Sequence, residues 1–131
     1  MKLFRRFNRE NARTEPKKKQ QLSWIPLTSL DQLLQIKEQS KTIPVIIFKH
    51  STRCVISRMV LREFESSFAE HQLSVSLYIL DLLTYREISN EIVSEFRVFH
   101  QSPQLIVVKN SEAIYHASHN DINSNKIKEF V

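Results

Sequence analysis

Glycine is absent from all 131 residues, although an average composition of about 7% would supply roughly nine. Without glycine the chain cannot form a glycine-rich phosphate loop, which excludes both a P-loop and the dinucleotide-binding fingerprint. Positions that require a positive φ must then be filled by other residues. We expect Asn, Asp or Ser there, because their short polar side chains tolerate the left-handed conformation.

Cysteine occurs once, as Cys54, so no internal disulfide can form and the chain is not a disulfide-stapled secreted domain. Long hydrophobic runs are also missing, since none approaches the ~18–20 residues that span a bilayer. The first ten residues, MKLFRRFNRE, lack the apolar core of a signal peptide. We therefore expect a cytoplasmic protein without a transmembrane segment.

Positive charge is concentrated at the start of the chain. Residues 1–21 carry eight Lys and Arg against two Glu, a net of +6, which leaves −1 for residues 22–131 of the total of +5. This composition predicts a basic, disordered tail at residues 1–21 followed by one domain at residues 22–131. The tail suits weak attachment to anionic lipid or nucleic acid, but a solubilising extension is the explanation that we prefer for such a run of charge. We expect no specific nucleic-acid partner.

The hydrophobic periodicity predicts the order helix–strand–helix–strand–helix–strand–strand–helix. The run VIIF at residues 45–48 is apolar at every position, as in a strand that is covered on both faces. Strands separated by helices favour right-handed crossovers, and the turn at Asn110-Ser111 adds an antiparallel hairpin. This order predicts an α/β, thioredoxin-like fold, with a central mixed four-stranded sheet and helices on both faces.

Cys54 stands between the apolar strand and a helical pattern that begins at Val55. At a helix N-terminus the unpaired backbone N–H groups and the helix dipole favour a thiolate over a thiol. Arg53 and Arg58 add positive charge nearby, and Ser57, one helical turn further, can donate a hydrogen bond to the sulfur. The pattern predicts a reactive cysteine, while a small buried apolar residue is the alternative.

The spacing from Cys54 to Ser57 is that of a C-x-x-C redox site whose second cysteine is replaced by serine. Such a cysteine can exchange with a partner's disulfide but cannot close an internal one. A second small thiol must therefore complete the reaction cycle, and the site is predicted to be monothiol.

Pro103 directly precedes the predicted strand at Gln104–Lys109. Thioredoxin-like folds carry a cis-proline before the corresponding strand, facing the cysteine, and cis peptide bonds are almost confined to X–Pro. We interpret Ser102-Pro103 as this cis bond. A trans proline that opens a strand is the alternative.

Three segments, FKHSTRCVIS, RVFHQSPQLIVVKN and YHASHNDI, together resemble the monothiol bacilliredoxin family. The resemblance extends from about Ile43 to the C-terminus and leaves the basic tail outside. The chain departs from the family pattern at three positions. Val55 follows the cysteine where relatives often have proline or a small residue, and Arg97 and Ser111 stand where relatives usually have glycine.

The resemblance implies a protein that removes bacillithiol from protein mixed disulfides. We expect no bound cofactor or metal, and bacillithiol as the co-substrate. The expected partners are bacillithiol and bacillithiolated proteins, and we expect a monomer. The nucleophile is Cys54, with the thiolate stabilised by Arg53, Ser57 and Arg58. The residues expected to contact the substrate are His50, Thr52, Ser102, Pro103 and His119.

Three other functions remain open from the sequence. A thioredoxin-like binding module could dock a protein partner while Cys54 stays inert. The pair His116 and His119 forms an H-x-x-H pattern, which is weak evidence for zinc without neighbouring cysteine or carboxylate ligands. Nucleic-acid binding rests on the basic tail alone.

Overall fold

The computed structural model describes residues 22–131, so the predicted basic tail lies outside the described residues. The strands are β1 Trp24–Pro26, β2 Val45–His50, β3 Ser76–Asp81, β4 Gln104–Lys109 and β5 Glu112–Ser118. The α-helices are α1 Asp31–Gln39, α2 Val55–Ala69, α3 Arg86–Phe96 and α4 Ser124–Ile127. Short 3-10 turns follow at His119–Asp121 and Lys128–Phe130.

The strands form one mixed sheet in the order β1-β3-β2-β4-β5. Strands β1, β3 and β2 are parallel, whereas β4 is antiparallel to both β2 and β5. The thioredoxin-like fold is thus confirmed, but the sheet has five strands where four were predicted. The additional strand, Trp24–Pro26, is too short to show a period of two, and its proline is tolerated because the strand lies at the sheet edge.

Two hydrophobic layers cover the sheet, one on each face. The first packs α1 and α3 against the residues of β2 that include Val45 and Ile47. The second packs α2 and the C-terminal segment against Ile46 and Phe48. Successive side chains of β2 therefore alternate between the two layers, and all six residues of this strand are buried. This burial on both faces explains the unbroken apolar run in the sequence.

Residues with positive φ are found at five positions in the described part of the chain, and none is glycine. Asn110 and Ser111 form the hairpin turn between β4 and β5, with φ of 52° and 67°. The expectation that only Asn, Asp or Ser would fill such positions is wrong, because Gln72, Arg97 and His119 do so as well. Arg97 ends α3 in the left-handed conformation, the position at which helices favour glycine.

None of the helices in residues 22–131 combines the length and the apolar character that a membrane crossing requires.

Candidate functional site

Cys54 is exposed at the point where β2 leads into α2. It is the N-cap residue of α2, with extended backbone angles (φ −97°, ψ 121°). Its N–H donates to the carbonyl of Ser51 at 3.2 Å, and its carbonyl accepts from the N–H of Arg58 at 3.1 Å. The loop at residues 51–54, called the cysteine loop below, is thus a closed turn that presents the thiol at the positive end of a 15-residue helix.

Ser57 is completely buried and faces the end of β2. Its Oγ lies 2.8 Å from Nδ1 of His50 and accepts the N–H of Ser51 at 3.1 Å. The partners of this hydroxyl are therefore His50 and Ser51, and not the sulfur of Cys54 as predicted. Ser57 instead ties the loop before the cysteine to the last residue of β2.

His50 ends β2 with only 6% of its surface exposed. Burial lowers the pKa of the imidazole below its ordinary value, and this lowering is opposed by the negative charges of Asp81 and Glu65 and reinforced by Arg58. The ring is accordingly neutral at pH 7. His50 was predicted to contact the substrate, but a buried ring bonded to Ser57 offers little surface for that, and it supports the cysteine loop from below.

The Ser102-Pro103 peptide bond is cis, as predicted. Pro103 is buried, Ser102 is half-buried, and the carbonyl of Pro103 accepts the N–H of His119 at 3.0 Å. Lys49 of β2 pairs with Gln104 of β4. Because this pairing joins the end of β2 to the start of β4, the cysteine loop and the cis-proline lie at the same end of these two strands.

His119 is exposed and has a φ of 53°. It lines a polar cleft of ≈ 470 Å³ between α2 and the chain that follows β5, together with Glu63, Asn120 and Asn123. Cys54 does not line this cleft. The structure therefore connects the backbone of His119 to the cis-proline, while the residue itself borders a space beside α2.

The other predicted site residues, Thr52, Arg53 and Arg58, are exposed around Cys54. Within residues 22–131, neither arginine has a carboxylate within 4.0 Å. Their positive charges are thus available to an anionic group that approaches the thiol.

Large apolar side chains are also exposed near the cysteine. On the first turns of α2, Val55, Ile56 and Met59 are 58%, 61% and 64% exposed. Phe99, in the loop that leads to Pro103, is 87% exposed. These four side chains form an apolar rim on the side of the molecule that carries the thiol and the cis-proline. Such a rim suits contact with a protein surface more than with a small polar molecule alone.

Two buried polar residues, Lys49 and Gln104, were not predicted from the sequence. They lie on the face of the sheet that α1 and α3 cover, opposite the face that carries His50. Lys49 is fully buried, its Nζ lies 2.8 Å from Nδ1 of His100, and burial lowers its pKa to about 8. Gln104 is 1% exposed and donates from Nε2 to the carbonyl of Phe99 at 2.9 Å. One feature of the sequence could have predicted the burial of Lys49. It stands two positions after Ile47, so it lies on the same covered face of the strand as Val45 and Ile47.

In the part of the chain that the structure describes, no group of three or more His, Cys, Asp or Glu residues is placed to hold a metal ion. The exposed Cys54 thiol, the cationic groups beside it and the apolar rim form a combination that suits thiol–disulfide exchange.

The family model described as monothiol bacilliredoxin BrxC matches residues 25–127. A solved structure described as a candidate oxidoreductase with a thioredoxin fold is 31% identical, with a TM-score of 0.71, and the match covers 81% of this chain and 91% of that one.

Two thioredoxins show the same fold at lower identity. The thioredoxin of Malassezia sympodialis is 18% identical with a TM-score of 0.64, covering 89% of this chain and 94% of that one. The thioredoxin of Trypanosoma brucei brucei is 21% identical with a TM-score of 0.60, covering 88% and 96%. The family match over most of the domain, the thioredoxin-like fold and a single cysteine indicate thiol redox chemistry, and the chain belongs to the monothiol bacilliredoxin family.

Proposed function

We propose that this protein removes bacillithiol from protein mixed disulfides through Cys54 alone. The observation that carries the proposal is the position of the chain's single cysteine. It is exposed at the N-terminus of α2, at the same end of the β2–β4 pair as the cis-proline Pro103. Bacillithiol as the small thiol is taken from the family to which the chain belongs.

The first step is an exchange between sulfur atoms. The Cys54 thiolate attacks the bacillithiol sulfur of the modified protein, a new S–S bond forms, and the protein's own sulfur leaves as a thiolate that takes up a proton. In the second step a free bacillithiol thiolate attacks the bacillithiol sulfur of the adduct. This releases the Cys54 thiolate and produces bacillithiol disulfide, so the enzyme returns to its starting state without a second cysteine.

The surrounding residues have separate tasks in this proposal. The N-terminal dipole of α2 and the charges of Arg53 and Arg58 stabilise the thiolate, while Ser57 acts through its hydrogen bonds to the loop. The carboxylates of bacillithiol form charge-assisted hydrogen bonds with Arg53, Arg58 or His119. The modified protein contacts Thr52, Ser102 and Pro103, with the buried His50 beneath them. We propose that this occurs in the cytoplasm and that the protein acts as a monomer.

A transfer assay tests the proposal directly. A bacillithiolated test protein is incubated with the protein and excess bacillithiol, and all species are followed by intact mass. We expect catalytic loss of bacillithiol from the test protein and a transient bacillithiol adduct on the wild type. Cys54→Ser should show neither, whereas Ser66→Ala, a change on the exposed side of α2, should behave as the wild type.

The alternative is a non-catalytic binding module, which the apolar rim of Val55, Ile56, Met59 and Phe99 favours. In that case the wild type and Cys54→Ser would bind the modified protein equally and neither would accelerate its release. Turnover by the wild type that is lost in Cys54→Ser rules this alternative out.

A further inference from the structure

We propose that Lys49 is a positioning residue for the loop at residues 97–103. The side chain of the buried Lys49 holds His100, and Gln104, its partner on β4, holds the carbonyl of Phe99. The loop is thereby positioned to present Phe99 and the cis-proline Pro103 to the substrate. This proposal rests on the proposed function, because it assigns the loop to the protein whose mixed disulfide is reduced.

The anchor on the sheet side is a cross-strand pair. Lys49 and Gln104 are directly opposite one another in the β2–β4 pairing, and both are at most 1% exposed. Because side chains alternate along a strand, Lys49 points to the face opposite His50 and the cysteine loop. The two basic residues at the end of β2 therefore support different loops, one on each face of the sheet.

The anchor on the loop side consists of two successive residues. Nζ of Lys49 lies 2.8 Å from Nδ1 of His100, and Nε2 of Gln104 donates to the carbonyl of Phe99 at 2.9 Å. With its carbonyl held in this way, Phe99 is 87% exposed. The buried pair thus determines where an exposed aromatic ring stands relative to the cis-proline.

The charges around Lys49 indicate that this residue does not serve to stabilise the fold. Within residues 22–131 no carboxylate lies within 4.0 Å of its Nζ, and the charged group that acts on its partner His100 from α3 is another cation, Arg86. A buried ammonium without a counter-ion is costly, and an apolar residue of similar volume is often as stable or more so. The hydrogen bond to the loop is what an apolar residue cannot supply.

Steady-state kinetics on a bacillithiolated protein test the proposal. We expect Lys49→Met and His100→Ala to raise KM about tenfold with kcat changed by less than about twofold, since the loop positions the substrate and does not take part in the exchange. His100→Gln retains an acceptor for Nζ and should stay within about threefold of the wild-type KM. Lys109→Met, which changes an exposed lysine at the end of β4, serves as the matched control.

Two further measurements separate positioning from general support of the fold. The rate at which iodoacetamide alkylates Cys54 should be the same in all variants, because the cysteine loop rests on the other face of the sheet. Amide hydrogen exchange in residues 97–103 should be at least about tenfold faster in Lys49→Met and His100→Ala than in the wild type or His100→Gln.

The outcomes distinguish the two proposals. A wild type that does not turn over bacillithiolated protein defeats the proposed function, and the exchange measurement then still tests whether Lys49 holds the loop. An active wild type with an unchanged KM in Lys49→Met overturns the positioning role. Unchanged exchange in residues 97–103, or alkylation that falls in parallel with kcat/KM, overturns it as well.

Discussion

The hydroxyl of Ser57 lies 2.8 Å from Nδ1 of His50, in the buried space between the first turn of α2 and the end of β2. The same hydroxyl accepts the N–H of Ser51, and the carbonyl of Ser51 accepts the N–H of Cys54. A chain of hydrogen bonds therefore runs from the core to the residue that carries the thiol. Ser57 occupies the position of the second cysteine in a dithiol site, and here it holds the loop of the first.

Removal of this hydroxyl should destabilise the protein. Ser57→Ala leaves the N–H of Ser51 without its acceptor and Nδ1 of the buried His50 without a partner. We expect the free energy of unfolding to fall by about 1–3 kcal/mol. Urea unfolding at pH 7 measures this, with Ser66→Ala on the exposed face of α2 as control. If both variants are as stable as the wild type, the hydrogen-bonded loop contributes nothing to stability.

Replacing the same serine by cysteine should change the chemistry of the site. Ser57→Cys restores the C-x-x-C spacing at a helix N-terminus, so mild oxidation should close an internal disulfide and lower the intact mass by about 2 Da. Ser66→Cys places its thiol three turns along α2 and should give no such loss. A Ser57→Cys protein that forms only mixed disulfides or dimers would show that the buried position cannot reach the sulfur of Cys54.

Lys49 should make stability depend on pH in the alkaline range. Burial lowers its pKa from the ordinary value of 10.5 to about 8. Between these values the unfolded chain holds a proton that the folded protein has released, so the contribution of Lys49 to the free energy of unfolding rises with pH.

Lys49→Met lacks this contribution. We expect the variant to be more stable than the wild type at pH 7, and the difference to shrink as the pH is raised from 8 to 10. Urea unfolding at several pH values checks this, with Lys109→Met as an exposed control. Parallel pH profiles for the wild type and Lys49→Met would contradict a buried, titrating lysine.

The arginines beside the thiol should affect the choice of substrate. If Arg53 binds a carboxylate of bacillithiol, Arg53→Ala should lower the transfer rate from a bacillithiolated protein about three- to tenfold. The same protein modified with glutathione should be affected less. Arg62→Ala, which removes an exposed arginine within α2, is the charge control. Equal loss with both modifications assigns Arg53 a general electrostatic role.

Much of the fold could be predicted from local sequence. The apolar run before Lys49, the helical spacing after Cys54 and the turn at Asn110-Ser111 each depend on neighbours in the chain, and each appears in the structure as predicted. The strand Trp24–Pro26 was missed because three residues carry no period. It pairs with β3, and its tryptophan donates from Nε1 to Glu65, 41 residues away.

The position of the cysteine and the cis-proline was also predictable, whereas the partners of the buried polar residues were not. The bond between Lys49 and His100 joins residues that are 51 positions apart, and it requires β2 and β4 to be neighbours. Ser57 could be placed one turn after Cys54, but the direction of its hydroxyl depends on how α2 packs on the sheet. These contacts are set by tertiary packing, which a spacing pattern does not contain.

The absence of glycine has a thermodynamic consequence. Glycine gives an unfolded chain its greatest backbone freedom, so a chain without it samples fewer conformations and loses less entropy on folding. In return, five residues with side chains adopt left-handed backbone angles in the described domain, each at roughly 1–2 kcal/mol. Part of the free-energy cost of folding is thus transferred from the unfolded ensemble to defined points of the native backbone. Two of these points are Arg97, which begins the loop that carries the cis-proline, and His119, whose N–H donates to the carbonyl of Pro103.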